Sequence, residues 1–443
     1  MKSNNTAQNN SKLLWRIHHW AGLYCGIVIA VLSLTGAMAV FIPEIDLFIQ
    51  KQYYSVSSTP SNKLYFSKSI AQAKKEYPDM TGLIVDLPEK AGQVAGLNFF
   101  VGGGKHLAIQ RYYLFVDAGK DEIVGARNQQ NSLANYLRQM HVRLYDGYWG
   151  RQLVGLGGIA LLVVAITGLL IYSDFMKRQP YPKLRKGNGL RILMADWHKL
   201  LGISALAFNI VIAITGAWLG LQPKIMTWFK MKTPNNFKPE IIITPEEDKK
   251  TTVHWDELLA AAKKEFPDLV PNGIQASDNG SSTITFHGDI AGKAYERNAN
   301  VLVLSKTDLK PLFKYDVRTA PLSQKFYFIQ EALHFGNFGG LGLKILYTIL
   351  GLTSAFLSIS GFVVYLYRMD KKKTKRYSPL KTTFIYCTVI TLVLIALAMV
   401  SMFIGYSVAA FAAAIIINGA LVLFIVYSIF SYIRKKLNPA YLK

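Results

Sequence analysis

Long apolar runs alternate with polar stretches along this chain, and the runs have the length of membrane-spanning helices. A helix needs roughly 20 consecutive apolar residues to cross a bilayer. Six runs meet this requirement, at about 20–42, 152–173, 199–221, 344–367, 382–404 and 409–433. The stretches 43–151 and 222–343 are polar and interrupted by Pro, Gly and Asn, which predicts two folded loops outside the bilayer. The pattern therefore predicts a membrane α-helical protein with six transmembrane helices.

The charge of the chain indicates how these helices are oriented. The 443 residues are 51% hydrophobic and only 17% charged, yet the formal net charge is +23. Most of the excess Lys and Arg lies beside the predicted helices, in the segments 1–16, 173–197, 368–381 and 432–443. Because Lys and Arg near spans stay in the cytoplasm, both termini are predicted to be cytoplasmic and both large loops to lie outside. This predicts a multi-pass membrane protein, surrounded by lipid and without a nucleic-acid partner.

The first four predicted helices form two copies of one unit, and the duplication singles out four histidines. The corresponding residues of the two copies are His18 with His198 and His141 with His334. In both copies the first histidine lies 17 residues before a Thr-Gly, and the second lies 26 residues before a Thr-Gly or Ser-Gly. The outside loops repeat as well, since 71–79 recurs as 260–268 with few changes. Each of these segments predicts a helix followed by strands, and hence one small α+β domain per copy.

The predicted orientation sorts the four histidines into two pairs. His18 and His198 form an inner pair near the cytoplasmic face, and His141 and His334 form an outer pair, separated from the first by about 30 Å of bilayer core. Two imidazoles without carboxylate or thiolate ligands make a poor zinc site. They suit the two axial positions of a haem iron, whose other ligands come from the porphyrin. His19 corresponds to a lysine in the second copy, and whether it replaces His18 as a ligand stays open.

Glycines and cations accompany each pair. Along continuous helices Gly36 and Gly216 would lie about 26 Å beyond the inner histidines, near the outer pair, and Gly168 and Gly361 near the inner pair. A glycine there would let a flat macrocycle lie against the backbone, although small-residue helix packing explains it equally well. Haem propionates could pair with cations, which are Arg16 and Lys199 inside and Arg151 and Lys344 outside. Snorkelling of these side chains to the interface is the alternative.

These motifs resemble the PepSY-associated transmembrane helix family of bacterial inner-membrane proteins, which includes ferrisiderophore reductases. The resemblance rests on His-x-x-x-Gly before Thr-Gly, on the Ala-Lys-Lys-Glu-Tyr/Phe-Pro-Asp segments and on the duplicated layout, and covers about 12–370. It implies two periplasmic PepSY domains and two haem b groups, with His18, His198, His141 and His334 as axial ligands. The cytoplasmic loops are too short for a flavin or dinucleotide domain. The electron donor, a cytoplasmic protein or a quinol, is therefore not identified.

The resemblance and the histidines favour a transmembrane ferric-siderophore reductase, an oxidoreductase that takes electrons from the inner to the outer haem and releases Fe(II). Two other functions stay open: a siderophore or metal permease, and a PepSY-type regulatory membrane protein without redox activity. The predicted segments are 1–42 (cytoplasmic N-terminus and first helix), 43–140 (first PepSY-like domain), 141–173 (second helix), 174–198 (basic loop), 199–221 (third helix), 222–333 (second PepSY-like domain), 334–367 (fourth helix), 368–381 (basic loop), 382–433 (fifth and sixth helices) and 434–443 (tail).

Overall fold

The chain divides into two compact units, which are described separately. A computed structural model describes residues 2–51, 64–88, 92–102, 109–176, 183–185, 187–236, 255–276, 283–292, 295, 298–370, 379–404 and five isolated positions up to 427. The helical unit comprises Met1–Ile42, Leu133–Thr227 and Gly339–Lys443. The sheet unit comprises Pro43–Ser132 and Trp228–Phe338.

Helices and strands follow the same order in the two copies. The helices are α1 (Lys2–Tyr24), α2 (Gly26–Ala39), α3 (Ile42–Ile49), α4 (Ser67–Glu76), α5 (Leu133–Arg143), α6 (Gly147–Met176), α7 (Leu190–Ser204), α8 (Leu206–Trp228), α9 (Trp255–Glu265), α10 (Leu322–Phe335), α11 (Gly340–Asp370) and α12 (Pro379–Ile404). The strands are β1 (Met80–Asp86), β2 (Ala95–Val101), β3 (Gln110–Asp117), β4 (Glu122–Asn128), β5 (Leu269–Ala276), β6 (Thr283–Ile290), β7 (Asn300–Ser305) and β8 (Pro311–Tyr315).

The helical unit contains three helices that are long and apolar enough to cross a membrane. Within the described residues these are Gly147–Ser173, Leu206–Trp228 and Asn337–Met369, and the bent pair α1–α2 makes a fourth span if it is counted as one. The chain is thus a membrane helical protein, as the apolar runs predict. Of the two further spans in the prediction, the fifth matches α12, whose apolar part Lys381–Ala396 is shorter than a span. The sixth, 409–433, lies almost entirely outside the described residues.

The first helix of each copy is broken at corresponding places. The sequence predicts one continuous helix over 20–42, but α1 and α2 meet at Cys25 with a bend of 61°. Cys25 has φ −93° and ψ −5°, and Ala205, between α7 and α8, has φ −95° and ψ 6°. Both residues lie in the bridge region of backbone conformations, seven positions after His18 and His198 respectively. Neither residue type breaks helices, so this part of the prediction is corrected by packing that the sequence does not reveal.

The sheet unit holds one sheet, where the sequence predicts two separate domains. All eight strands are antiparallel, in the order β4-β3-β2-β1-β5-β6-β7-β8. The two copies meet at β1 and β5, where Val85 pairs with Ile274. A four-stranded sheet from one copy would leave that edge unpaired, and edge backbone groups readily pair with another strand. The two copies thus share one sheet, and two separate PepSY domains are not confirmed.

A single hydrophobic core covers one face of the joined sheet. It contains residues of α4 and α9, such as Ala73 and Leu258, together with strand residues of both copies, such as Leu97 and Leu302. On the other face α10 packs through Phe328 against a smaller cluster on β7 and β8. Both copies therefore contribute to one core, which explains why they form one unit.

A buried ion pair fastens α3 to the sheet. Both guanidinium Nη atoms of Arg127 donate to the carboxylate of Asp46 at 2.7 Å, and the two side chains are 16% and 11% exposed. The guanidinium also lies 5.3 Å from the centre of the Phe115 ring. Because one partner alone would leave an uncompensated charge, the pair is expected to be essential for the stability of this unit.

Replacing Asp46 by alanine is expected to lower the free energy of unfolding of the sheet unit by about 3 kcal/mol. The midpoint of thermal unfolding of the full-length protein in detergent measures this. The matched control is Glu122→Ala, whose ion pair with Lys68 spans 3.9 Å at the surface and should contribute little. Equal midpoints for the two variants would contradict a stabilising role of the buried pair.

Candidate functional site

The structure brings His18 and His198 together inside the helical unit. Their ring centroids are 6.3 Å apart and the ring planes are nearly perpendicular, at 89°. Imidazoles bound to opposite sides of one iron through bonds of about 2 Å would have their ring centres about 6 Å apart. The observed separation of the two ring centres matches the separation that this arrangement requires.

A hydrogen-bond pattern on α6 fixes the ring of His18. Its Nδ1 lies 3.1 Å from the carbonyl oxygen of Val164 and 3.1 Å from Oγ1 of Thr167. The Thr167 hydroxyl donates to the carbonyl of Val163 at 2.6 Å, so it can only accept from the histidine. Nδ1 must therefore carry the proton, and the lone pair of Nε2 is left for a metal.

His198 and His141 are held in the same way by other helices. Nδ1 of His198 lies 2.9 Å from Oγ of Ser360, whose hydroxyl donates to the carbonyl of Leu357. Nδ1 of His141 lies 3.0 Å from the carbonyl of Leu32 and 3.4 Å from Oγ1 of Thr35. Three histidines thus share one arrangement, in which Nδ1 is directed to a helix and Nε2 away from its acceptors.

The glycine after each hydroxyl residue makes room for the imidazole ring. A Cβ atom at Gly36 would lie 2.7 Å from Cε1 of His141, and one at Gly168 would lie 3.2 Å from Cε1 of His18. At Gly361 the corresponding distance to Cε1 of His198 is 3.5 Å, an ordinary van der Waals contact. In the structure these glycines contact the rings, and their contact with a cofactor stays a prediction.

His334 lies in the sheet unit, near the end of α10. Its ring is 6.0 Å from that of Phe335, and Gly336 ends the helix in the left-handed conformation, at φ +64°. The sequence predicts that Thr215 and Gly216 lie near the outer histidine pair. Thr215 belongs to the helical unit, and its hydroxyl donates to the carbonyl of Val211 at 2.7 Å, just as Thr35 and Thr167 donate to the carbonyl four residues earlier. Because His141 and His334 fall in different units, their pairing at an outer site, and the place of Gly216 there, stay predictions.

Arg151 has a structural partner that the sequence reasoning did not assign. Pro223 lies inside α8, and proline has no N–H to donate to the carbonyl four residues earlier. That carbonyl, of Leu219, instead accepts from Nε and Nη2 of Arg151 at 3.0 and 2.8 Å. Nη2 also donates to Gln222 at 3.2 Å. The proline in an apolar helix was the available signal, and a role of Arg151 toward a propionate stays a prediction.

The other predicted propionate partners also contact protein groups. Lys344, which corresponds to Arg151, lies 6.0 Å from the centre of the Phe41 ring. Lys199 is 3.0 Å from the carboxylate of Asp196, which is fully buried and also accepts from the Arg185 guanidinium. Hydrogen bonds from Arg185, and to a smaller extent from Lys199, hold the pKa of the Asp196 carboxyl well below its usual range. This cluster fixes the segment two residues before His198.

The ring of His19 is turned to a different part of the unit from that of His18. It lies 5.4 Å from Trp20 and 5.3 Å from Tyr365. It lines a cavity of about 460 Å³, which is bounded by Lys12, Trp15, Arg16, His19, Trp20, Tyr365, Arg368 and Met369. The contacts of His18 with His198 and with the carbonyl of Val164 favour His18 as the ligand.

The donor set of His18 and His198 fits a haem iron better than a zinc site. Within the residues that the structure describes, no group of three His, Cys, Asp or Glu side chains could hold a metal ion. Two neutral imidazoles are too few for zinc, but they complete the coordination of an iron that a porphyrin already holds. Buried polar groups in proteins are nearly always hydrogen-bonded. Here the Nδ1 atoms of His18, His141 and His198 all lie within hydrogen-bond distance of a hydroxyl or carbonyl oxygen on another helix.

The hydroxyl side chains of Thr35, Thr167 and Ser360 are functional positions whose role the sequence reasoning missed. In the sequence these residues mark only the distance, 17 or 26 residues, from each histidine to the following Thr-Gly or Ser-Gly. The signal was present, because all four copies of the dipeptide have a hydroxyl residue before the glycine. Only the structure shows that the hydroxyl accepts from a histidine on another helix.

The fold and the site define a membrane protein with a duplicated helical unit, an eight-stranded sheet and paired histidines between helices. The chain belongs to the PepSY-associated TM region family, whose model matches residues 15–368. It is also similar to an uncharacterized protein of Pseudomonas aeruginosa, with 24% identity over 258 residues. That match covers 52% of this chain and 63% of the relative, so it spans less than two thirds of the relative's length.

Proposed function

We propose that this protein is a transmembrane electron conduit. It holds one haem b between His18 and His198 and a second with His141 and His334, and it reduces Fe(III) bound to a siderophore. The observation that carries the proposal is the pair of imidazoles of His18 and His198, with ring centres 6.3 Å apart and each Nδ1 within hydrogen-bond distance of a group on another helix. A haem bound there would supply a one-electron couple whose potential the axial ligands tune.

The residues of the chain have three tasks in this function. Thr167 and Ser360 orient the histidine rings and keep the proton on Nδ1, so that Nε2 is ready to bind iron. The hydroxyl groups are buried, which protects these hydrogen bonds from water. The helices around each pair then set the local polarity and hence the potential.

The siderophore is assigned through the resemblance to ferrisiderophore reductases. Fe(II) is held less firmly than Fe(III) by hard oxygen ligands, so reduction would release the ion. The step needs one electron per iron and no nucleophile. No catalytic acid or base is therefore assigned to the chain.

The decisive test is an optical spectrum of the purified full-length protein. A dithionite-reduced minus oxidised difference spectrum is expected to show the α-band of low-spin haem b, with two haems per chain by pyridine haemochrome assay. A protein without this band would overturn the proposal. A permease would instead take up intact chelate without a redox change, and a regulatory protein would need no cofactor.

Ferric reductase activity tests the outer site separately. Replacing His141 by alanine is expected to remove one haem and to abolish Fe(III)-siderophore reduction, with the spectrum of the His18–His198 site retained. Arg143→Gln, an exposed position on the same helix, is the matched control and should change neither property. Full activity in His141→Ala would contradict an outer haem at this residue.

A further inference from the structure

A cavity beside the His18–His198 site has no role in the proposed function. It lies between the C-terminal half of α1 and the last two turns of α11, and its volume is about 460 Å³. His19 lines it, and His19 is the chain neighbour of His18. An electron donor bound in this cavity would contact His19, whose backbone is continuous with that of His18.

Aromatic rings form much of the wall. Trp15, Trp20 and Tyr365 all border the cavity, and the rings of Trp20 and Tyr24 stack at 5.0 Å, which holds Trp20 in place. Aromatic faces favour a flat, conjugated ligand through offset stacking. Most of the lining residues lie in the segments 1–16 and 368–381, at the predicted cytoplasmic ends of the spans, so a ligand dissolved in the bilayer would reach the cavity at the membrane surface.

Polar hydrogens and positive charge complete the wall. The imidazole of His19, the hydroxyl of Tyr365 and the guanidinium of Arg368 can donate to ring oxygens of such a ligand. Lys12 and Arg16 add two more cations. A cluster of cations stabilises a deprotonated hydroxyl, and a hydroquinone gives up electrons more readily as its anion.

We propose that this cavity, bounded by His19, Tyr365 and Arg368, binds a lipid-soluble hydroquinone that donates electrons to the His18–His198 site. The inference rests on the proposed function, since it names the donor for the same haem. One hydroquinone loses two electrons and two protons and becomes the quinone. With haem bound, the two electrons would be taken up one at a time, each reducing one ferric iron, and the two protons would be released to water at the membrane surface.

Two measurements on the full-length protein in phosphatidylcholine nanodiscs test the inference. Anaerobic stopped-flow mixing with decylubiquinol is expected to produce the reduced haem α-band, and calorimetric titration with decylubiquinone is expected to show one binding site. In Arg368→Gln the rate constant should fall, and the dissociation constant should rise, about tenfold, the typical effect of one charged hydrogen bond. Arg143→Gln, which lies outside the cavity, should match the wild type.

The outcomes separate this inference from the proposed function. Haem that dithionite reduces but decylubiquinol does not would overturn the inference and leave the proposed function standing. A protein without haem would overturn the proposed function, while the titration would still decide whether a quinone binds. If Arg368→Gln lost bound phosphatidylglycerol in native mass spectrometry but kept its affinity for decylubiquinone, the cavity would be a site for an anionic lipid headgroup and the inference would fail.

Discussion

Alanine in place of His198 is expected to remove the haem of the His18–His198 site and to stop electron transfer from the donor side. The remaining imidazole alone would leave one axial position of the iron without a protein ligand. The haem content of the purified variant should fall by about half, and dithionite should reduce the remaining haem whereas decylubiquinol should not. His18→Ala should give the same result.

The control for this experiment is His19→Ala. His19 contacts Trp20 and Tyr365 and is not part of the opposed pair, so its loss should leave the haem content and the low-spin spectrum unchanged. Loss of haem in His19→Ala with retention in His18→Ala would show that the ligand is the neighbouring histidine. Normal haem content in His198→Ala would contradict the site itself.

A methyl group at Gly36 is expected to displace the ring of His141. Its Cβ would lie 2.7 Å from Cε1 and 3.2 Å from Nδ1 of the imidazole, closer than packed atoms tolerate. The ring has to leave the carbonyl of Leu32, at a cost of about 1–3 kcal/mol in binding of the outer haem. Haem titration of the apoprotein should therefore show weakened binding at one site.

Glycines at corresponding positions supply graded controls. Gly168→Ala should weaken binding at the His18–His198 site less, because its Cβ would lie 3.2 Å from the ring of His18. Gly361→Ala places the methyl group at 3.5 Å from His198 and should change haem affinity little. An effect of Gly361→Ala as large as that of Gly36→Ala would mean that the glycines act through backbone flexibility and not through space for the ring.

Several features of the fold follow from patterns that are local in the chain. Apolar runs of membrane length predict spans because each backbone group within a helix is satisfied by the same helix. The family assignment also follows from the sequence, since the family model covers the region 15–368 and the quoted motifs lie within about 12–370. The approach of Gly36 to His141 and of Gly168 to His18 agrees with the spacing, because duplication repeats the same helical geometry.

Other features depend on neighbours that are distant in the chain. The joining of both copies in one sheet depends on β1 finding β5, a pairing between backbone groups that carries no residue-type signal. The helix breaks at Cys25 and Ala205 occur at residue types that are common inside helices. Packing against other helices therefore determines where these helices are interrupted.

By itself, then, the sequence determined the membrane class, the duplication and the choice of four corresponding histidines. These features can be read along the chain, as apolar periodicity and as equal spacings in the two copies. Only the tertiary structure decided which histidine of the pair His18 and His19 faces His198, and that Arg151 caps the carbonyl freed by Pro223. These choices depend on which donors and acceptors meet through space. A buried polar group takes the nearest partner with suitable geometry, and that partner lies on another helix.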